Sequence, residues 1–335
     1  MLAPYVSSGR LTILREHAPV AATVNGDRIA SVRLRDMRSG SEREIQAQTF
    51  LDATETGDLL PLAKVEYVTG AEAQSQTGEM HAKSEAQPAN MQAVTWCFVM
   101  EHIDGEDFRT DAPPNYSFWR DYVPKLTPAW PSKLLHWDNT HPITLEPRTH
   151  TFDPREAGRE GGLWVYRRLI HERLYEPDAY AGGMCVVNWP QNDYWVGNVI
   201  EVDDVERERN LRGAKELSLS LFHWLQTEAP RPDGKQGWPG LRLRPDVTGT
   251  EDGLAKRVYI RESSPHSRRI HHNGRPCGRR PAQQETGAAD GDLRAASFPD
   301  SVGVGSYRID LHPSTGGDNY IDVRLTALRD SAWEP

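Results

Sequence analysis

Alternating apolar and polar positions open the chain and predict a run of strands. "APVAATV" and "RIASVRLR" flank Asn25-Gly26, a dipeptide suited to a two-residue hairpin turn. Val32 and Leu34 alternate with Arg33 and Arg35, as in a strand with one buried face. A second turn falls at Ser39-Gly40, after which Ile45, Ala47, Thr49 and Leu51 share one face of a further strand. The expected product is a small β-meander that delivers the chain to Asp52.

The period changes further along. Leu211, Ala214, Leu217, Leu221, Trp224 and Leu225 recur at helical spacing, and Pro230 closes the run, so a helix is expected from Glu208 to Glu228. Short strands are expected at Met184–Trp189, Tyr194–Val202, Leu241–Arg244 and Val258–Arg261. Between Pro113 and Pro154, Pro, Trp and His predominate without a clear period, which predicts irregular connections with a strand or two. In residues 263–292 the only large aliphatic or aromatic side chain is Ile270, so that segment cannot bury enough apolar surface to offset its ordering entropy.

Composition narrows the class. A chain of 335 residues is long enough for two domains. A net charge of -9 argues against nucleic acid as a partner, since neutralising phosphates takes a concentrated basic surface. Cys97, Cys185 and Cys277 form no C-x-x-C pair and cannot ligate an iron–sulfur cluster, and a reducing compartment is expected. The N-terminus lacks a signal-peptide pattern, and the longest apolar run, Ala93 to Met100, is too short to span a bilayer. A cytoplasmic protein without membrane partners is the expectation. His271-His272 has no companion ligands at metal spacing, so no metal site is expected.

Two stretches carry candidate chemistry. In "FLDATETGDLL" a strand runs into a cluster of small and polar residues, where Gly57 relieves steric limits and Thr56 or Asp58 could cap the following helical turn. Such a corner suits a bare helix cap or the close approach of a ligand, and local chemistry leaves both open. In "YRIDLH", strand alternation sets Arg308, Asp310 and His312 on one face. An arginine can hold an anionic group, and a histidine beside a carboxylate is an acid–base pair near neutral pH. A solvated strand face with an incidental ion pair is the other reading.

Both stretches resemble motifs of FAD-dependent oxidoreductases with the glutathione-reductase type of FAD fold. "FLDATETGDLLPLAKVEYVTGAE" is similar to the family segment in which a β-meander feeds a strand ending in Asp-Ala-Thr-Gly beside the cofactor, with Glu55 here in place of the glycine. "DSVGVGSYRIDLHPSTGGDNYIDV" resembles a second hallmark of one subgroup. The resemblance implies FAD as cofactor, with Asp52, Ala53, Thr54, Gly57 and Asp58 near it. It also implies a small-molecule substrate beside the catalytic candidates Arg308, Asp310 and His312. The redox partner is not readable.

The chain departs from the family by lacking a G-x-G-x-x-G turn, and the glycines of "GVGSYR" do not replace one. The comparison therefore implies a chain truncated at both ends and inactive alone. A frame slip is expected over residues 264–292 and in the tail, because degenerate codons allow the neighbouring frame to read as strand-forming sequence. The expected fold class is α/β (α+β). Residues 1–70 would form a partial FAD-binding domain and 71–262 a mixed-sheet substrate domain. Residues 263–292 would be disordered or out of frame, 293–323 a returning strand block, and 324–335 an aberrant tail. The rival expectation is a non-catalytic β-rich binding protein that holds its ligand on a Trp-rich surface.

Overall fold

The computed structural model describes residues 1–77, 82–141, 144–155, 162–261, 303–305, 312–319 and 331–333. Expectations for residues 263–292 and 324–330, and for Arg308 and Asp310, lie outside the described residues. The fold is mixed α and β, in two compact units.

Residues 1–69 form the smaller unit. After a short helix α1 (Ala3–Ser7) come β1 (His17–Asn25), β2 (Arg28–Asp36) and β3 (Glu42–Gln46), an antiparallel sheet in the order β1-β2-β3. Gly26 and Gly40, both with positive φ, make the two expected turns. Val32 is buried, as its place in the alternation requires. The third strand stops short of expectation. Its pairing with β2 ends at Ser31↔Gln46, and without a partner strand the chain leaves the sheet, so Leu51 is 88% exposed rather than facing a core. A short helix α2 (Leu59–Leu62) follows the Asp52 turn.

The larger unit begins at residue 70. In order it contains α3 (Gln74–Thr77), β4 (Val94–Thr95), β5 (Phe98–His102), α4 (Tyr116–Asp121), β6 (Asp138–Thr140) and β7 (Pro147–Thr149). Then come α5 (Leu163–Tyr166), β8 (Arg168–Ile170), β9 (Gly183–Val187), β10 (Asp193–Tyr194) and α6 (Asp204–Thr227). β11 (Leu241–Leu243), α7 (Pro245–Thr248), β12 (Gly303–Gly305) and β13 (Ser331–Trp333) complete it. Its main sheet runs β11-β5-β9-β8 and is antiparallel at every described pairing, and parallel pairing among the described residues is limited to the isolated bridges Ala73↔Lys83 and Thr127↔Asp318.

α6 covers this sheet. Asp203 caps it by accepting from the amide of Glu206 at 2.8 Å, which starts the helix four residues before the expected point. Ala214, Leu217, Leu221, Trp224 and Leu225 are buried along one face, and Phe222 meets Phe98 of β5 edge-on at 5.9 Å. Nine of the ten tryptophans are core residues, Trp96, Trp189 and Trp195 among them, while the side chain of Trp333 is not described. Their burial counts against a Trp-rich ligand surface. The strand expected at Tyr194–Val202 is only the two-residue β10, because the chain turns toward the α6 cap straight after pairing with β4.

Candidate functional site

The polar groups of interest gather at one end of the main sheet. Cys97 precedes β5, Asn188 follows β9, and Arg167 precedes β8 with its carbonyl accepting from the amide of Val186 at 3.1 Å. The antiparallel register Phe98↔Val187 places the start of β5 beside the end of β9. β10 adds Asp193, and Arg261 comes from beyond the Thr95↔Tyr259 bridge.

Asp193 is the hub. Its side chain has no exposed surface, and its Oδ1 accepts from Thr95 Oγ1 at 2.5 Å and Arg261 Nη2 at 2.9 Å. Its Oδ2 lies 2.6 Å from Nδ1 of His312. Burial alone would raise the pKa of this carboxyl. The charges of Arg261 and His312 and the bonds from His312 and Thr95 outweigh that, and hold it below the ordinary carboxylate range. An ionised carboxylate only accepts, so Nδ1 of His312 carries a proton, and when the ring is neutral Nε2 is its acceptor nitrogen.

Arg261 is fully engaged: Nη1 donates to Ala93 O at 2.7 Å and Thr95 Oγ1 at 2.8 Å, and Nη2 also donates to Asn188 Oδ1 at 3.1 Å. The Cys97 thiol lies within electrostatic reach of Arg261, Asp193 and Arg167, yet burial pushes it up to about 11. It stays a neutral thiol, which removes it as a nucleophile near neutral pH.

His312 is set by the segment it begins. Its amide donates to Gln92 Oε1 at 3.0 Å, and Pro313 O accepts from Ala93 N at 2.8 Å. Farther along, Thr315 Oγ1 donates to Ala89 O at 2.7 Å, and Asn319 Nδ2 donates to Thr140 Oγ1 at 2.6 Å. Asp318 holds both Lys83 and Asn90. Gly316 passes so close to Asn90 that a Cβ would overlap its side chain. These contacts hold the imidazole on Asp193.

Of the residues singled out from sequence, His312 therefore sits in an acid–base arrangement, with Asp193 as a carboxylate partner. Local spacing pointed to Asp310, which lies outside the described residues with Arg308. Sequence reasoning missed Asp193, Arg261 and Arg167, whose proximity arises from strand pairing between distant segments.

The Asp52 turn is a self-contained structure in the smaller unit. Asp52 Oδ1 accepts from the amide and hydroxyl of Thr54, at 3.0 and 2.7 Å, and its Oδ2 accepts from the amide of Leu59 at 2.9 Å. Thr54 Oγ1 accepts from the amide of Asp58 at 2.7 Å, and Gly57 has a φ of 69°. The helix start is thus capped by Asp52. The expected cap from Thr56 or Asp58 is not formed; Thr56 donates to Asp58 instead. Three amides at this corner are bonded within it, and α2 is only four residues long, so the turn does not fit a dinucleotide pyrophosphate. What it offers is a ledge of exposed small and apolar groups, Leu51 and Ala53.

Among the described residues no group of three or more His, Cys, Asp or Glu side chains could hold a metal ion. No helix among them is long and apolar enough to cross a membrane. An open cleft of about 510 Å³ lies between α4 and α6, with Phe118, Trp119 and Tyr194 in its wall.

The sequence model of a family described as FAD dependent oxidoreductase matches residues 1–330. That match supports membership, and does not support the expected truncation or frame slip. Comparisons with curated proteins and with solved structures gave no match.

Proposed function

From the premise that this chain belongs to the FAD-dependent oxidoreductase family, we propose that it takes part in the FAD-dependent oxidation of a small organic substrate, with His312 as the acid–base group. One observation carries the reading: a histidine Nδ1 2.6 Å from a fully buried carboxylate whose charge is balanced by Arg261. When bound, FAD supplies the acceptor for the substrate's electrons.

The part of this chain's own residues is proton transfer. Asp193 holds the Nδ1–H tautomer of His312, which directs the basic Nε2 away from the carboxylate, and stabilises the imidazolium that forms when Nε2 takes a proton. Arg261 keeps Asp193 ionised, so the carboxylate does not compete for that proton. Asp52, Ala53, Thr54, Gly57 and Asp58 enter this reading as a ledge beside the cofactor. Asp52 and Thr54 brace the turn, which does not itself fit the pyrophosphate. Arg308 and Asp310 remain substrate-side candidates on the strength of the strand pattern alone.

The test is anaerobic mixing of the protein with added FAD and a panel of small organic acids, amines and alcohols, following loss of the flavin's visible absorbance. A substrate that bleaches the flavin should do so about 10²–10⁴-fold more slowly with His312→Ala. Equal rates in the two proteins refute the role of His312, and a panel that never bleaches the flavin counts against the oxidoreductase reading.

A further inference from the structure

The second arginine at this end of the sheet is unlike the first. Arg261 donates to four acceptors and is balanced by Asp193, whereas Arg167 has no ion pair or hydrogen-bond acceptor for its side chain among the described residues. Its Nε is buried without a partner, and its guanidinium lies 5.2 Å from the centre of the exposed Tyr166 ring. A buried donor left unmade is costly, and more so on a charged group. The position is fixed from both sides, by the Arg167 carbonyl on Val186 and by the adjacent β8 pairing Arg168↔Cys185.

Charge bookkeeping points the same way. Arg261 and Asp193 cancel, Cys97 is a neutral thiol, and the neighbouring Arg168 is not free. Among the described residues Arg167 is the guanidinium at this end of the sheet that has no acceptor. A single guanidinium with an open N–H edge matches one planar monoanion better than a phosphate dianion, which would need a second cation.

We infer that Arg167 is an anion-recognition residue, and that the substrate brought to His312 is an organic acid bound through its carboxylate. This deepens the function proposed above and rests on it for the word substrate; the anion site itself needs no flavin.

That independence sets the experiment. The full chain, without added FAD, is titrated with acetate, with acetamide and with inorganic phosphate, while NMR follows the Arg167 Nε–H and the His312 imidazole. The expected result is saturable acetate binding that moves both signals, a weaker response to acetamide and no tighter binding of phosphate. Arg167→Gln should weaken acetate by about ten- to a hundredfold, the loss expected for a hydrogen bond to a charged group, and Arg167→Lys by less. An unchanged unfolding midpoint shows that Arg167→Gln still folds; a shifted one transfers the comparison to Arg167→Lys. The inference is overturned by acetate binding that does not saturate, that survives Arg167→Gln, or that leaves the His312 signal unmoved, and by phosphate binding more tightly than acetate. Acetate binding as expected, with no flavin bleaching in the panel above, would uphold the anion site and remove the oxidoreductase reading.

Discussion

Replacing Asp193 by Asn keeps the shape of the hub and removes its charge. The side chains of Arg261 and His312 are only 7% and 17% exposed, so neither gains much compensating water when the carboxylate goes. Arg261 can still donate to an Asn oxygen and keeps Ala93 O, Thr95 and Asn188, but its charge is left unbalanced in a buried site. At the other oxygen an amide N–H₂ would face the Nδ1–H of His312, and two donors cannot pair. Breaking a buried ion pair on one side costs about 3–5 kcal/mol, and the lost histidine contact keeps the expectation within that range. Residues 1–69 contain no tryptophan, so tryptophan fluorescence during denaturant unfolding reports the larger unit alone. The midpoint should fall with the slope unchanged. Arg261→Met together with Asp193→Asn should recover part of the loss, because the uncompensated charge is then gone. A loss below about 1 kcal/mol for Asp193→Asn would mean that the carboxylate is solvated rather than buried and paired, and would refute the reasoning.

Further outcomes follow from the same structure. Burial lowers His102 and His150 from 6.5 to about 4, so their contribution to stability is complete above pH 6.5 and lost as the pH falls toward 4. By linkage this is up to about 3 kcal/mol each, and His102→Gln should flatten that limb of the stability–pH curve. Gly316→Ala should displace residues 312–319 from Asn90 and shift the His312 imidazole signals, while Ser314→Ala should leave them in place. Asp52→Ala should speed hydrogen exchange at the Leu59 amide by about 5–30-fold, the value of a lost cap, and unchanged exchange would remove Asp52 as the cap. The purified chain should release no stoichiometric FAD on denaturation, since the Asp52 turn does not cradle phosphates; a stoichiometric yield would contradict that.

What the sequence made legible was local. Asn25-Gly26 and Ser39-Gly40 set turns by backbone preference, and the α6 face declared itself through a period that any amphipathic helix must keep. α4 was hidden, because its six residues follow Pro113-Pro114 and Asn115, which takes a left-handed conformation at the helix start. Nothing in the spacing of Ile45, Ala47, Thr49 and Leu51 reveals that β3 loses its pairing after Gln46. His312 was found because histidine beside acidic and basic residues is chemically conspicuous. Asp310, two positions away, lies outside the described residues, and the described bond reaches Asp193, 119 residues distant in the chain. The burial of Asp193 at β10 depends on how β4, Arg261 and the 312–319 segment come together, which no local spacing shows.

The proposed proton transfer needs His312 held as a base by a buried carboxylate, and the tautomer of that ring reports on it. Nitrogen NMR of selectively labelled histidine, assigned through His312→Gln, distinguishes a protonated Nδ1 from a protonated Nε2. The expected result is Nδ1–H as the tautomer of the neutral ring, and loss of that preference in Asp193→Asn. An Nε2–H ring in the native protein, or a tautomer indifferent to Asp193→Asn, would contradict it.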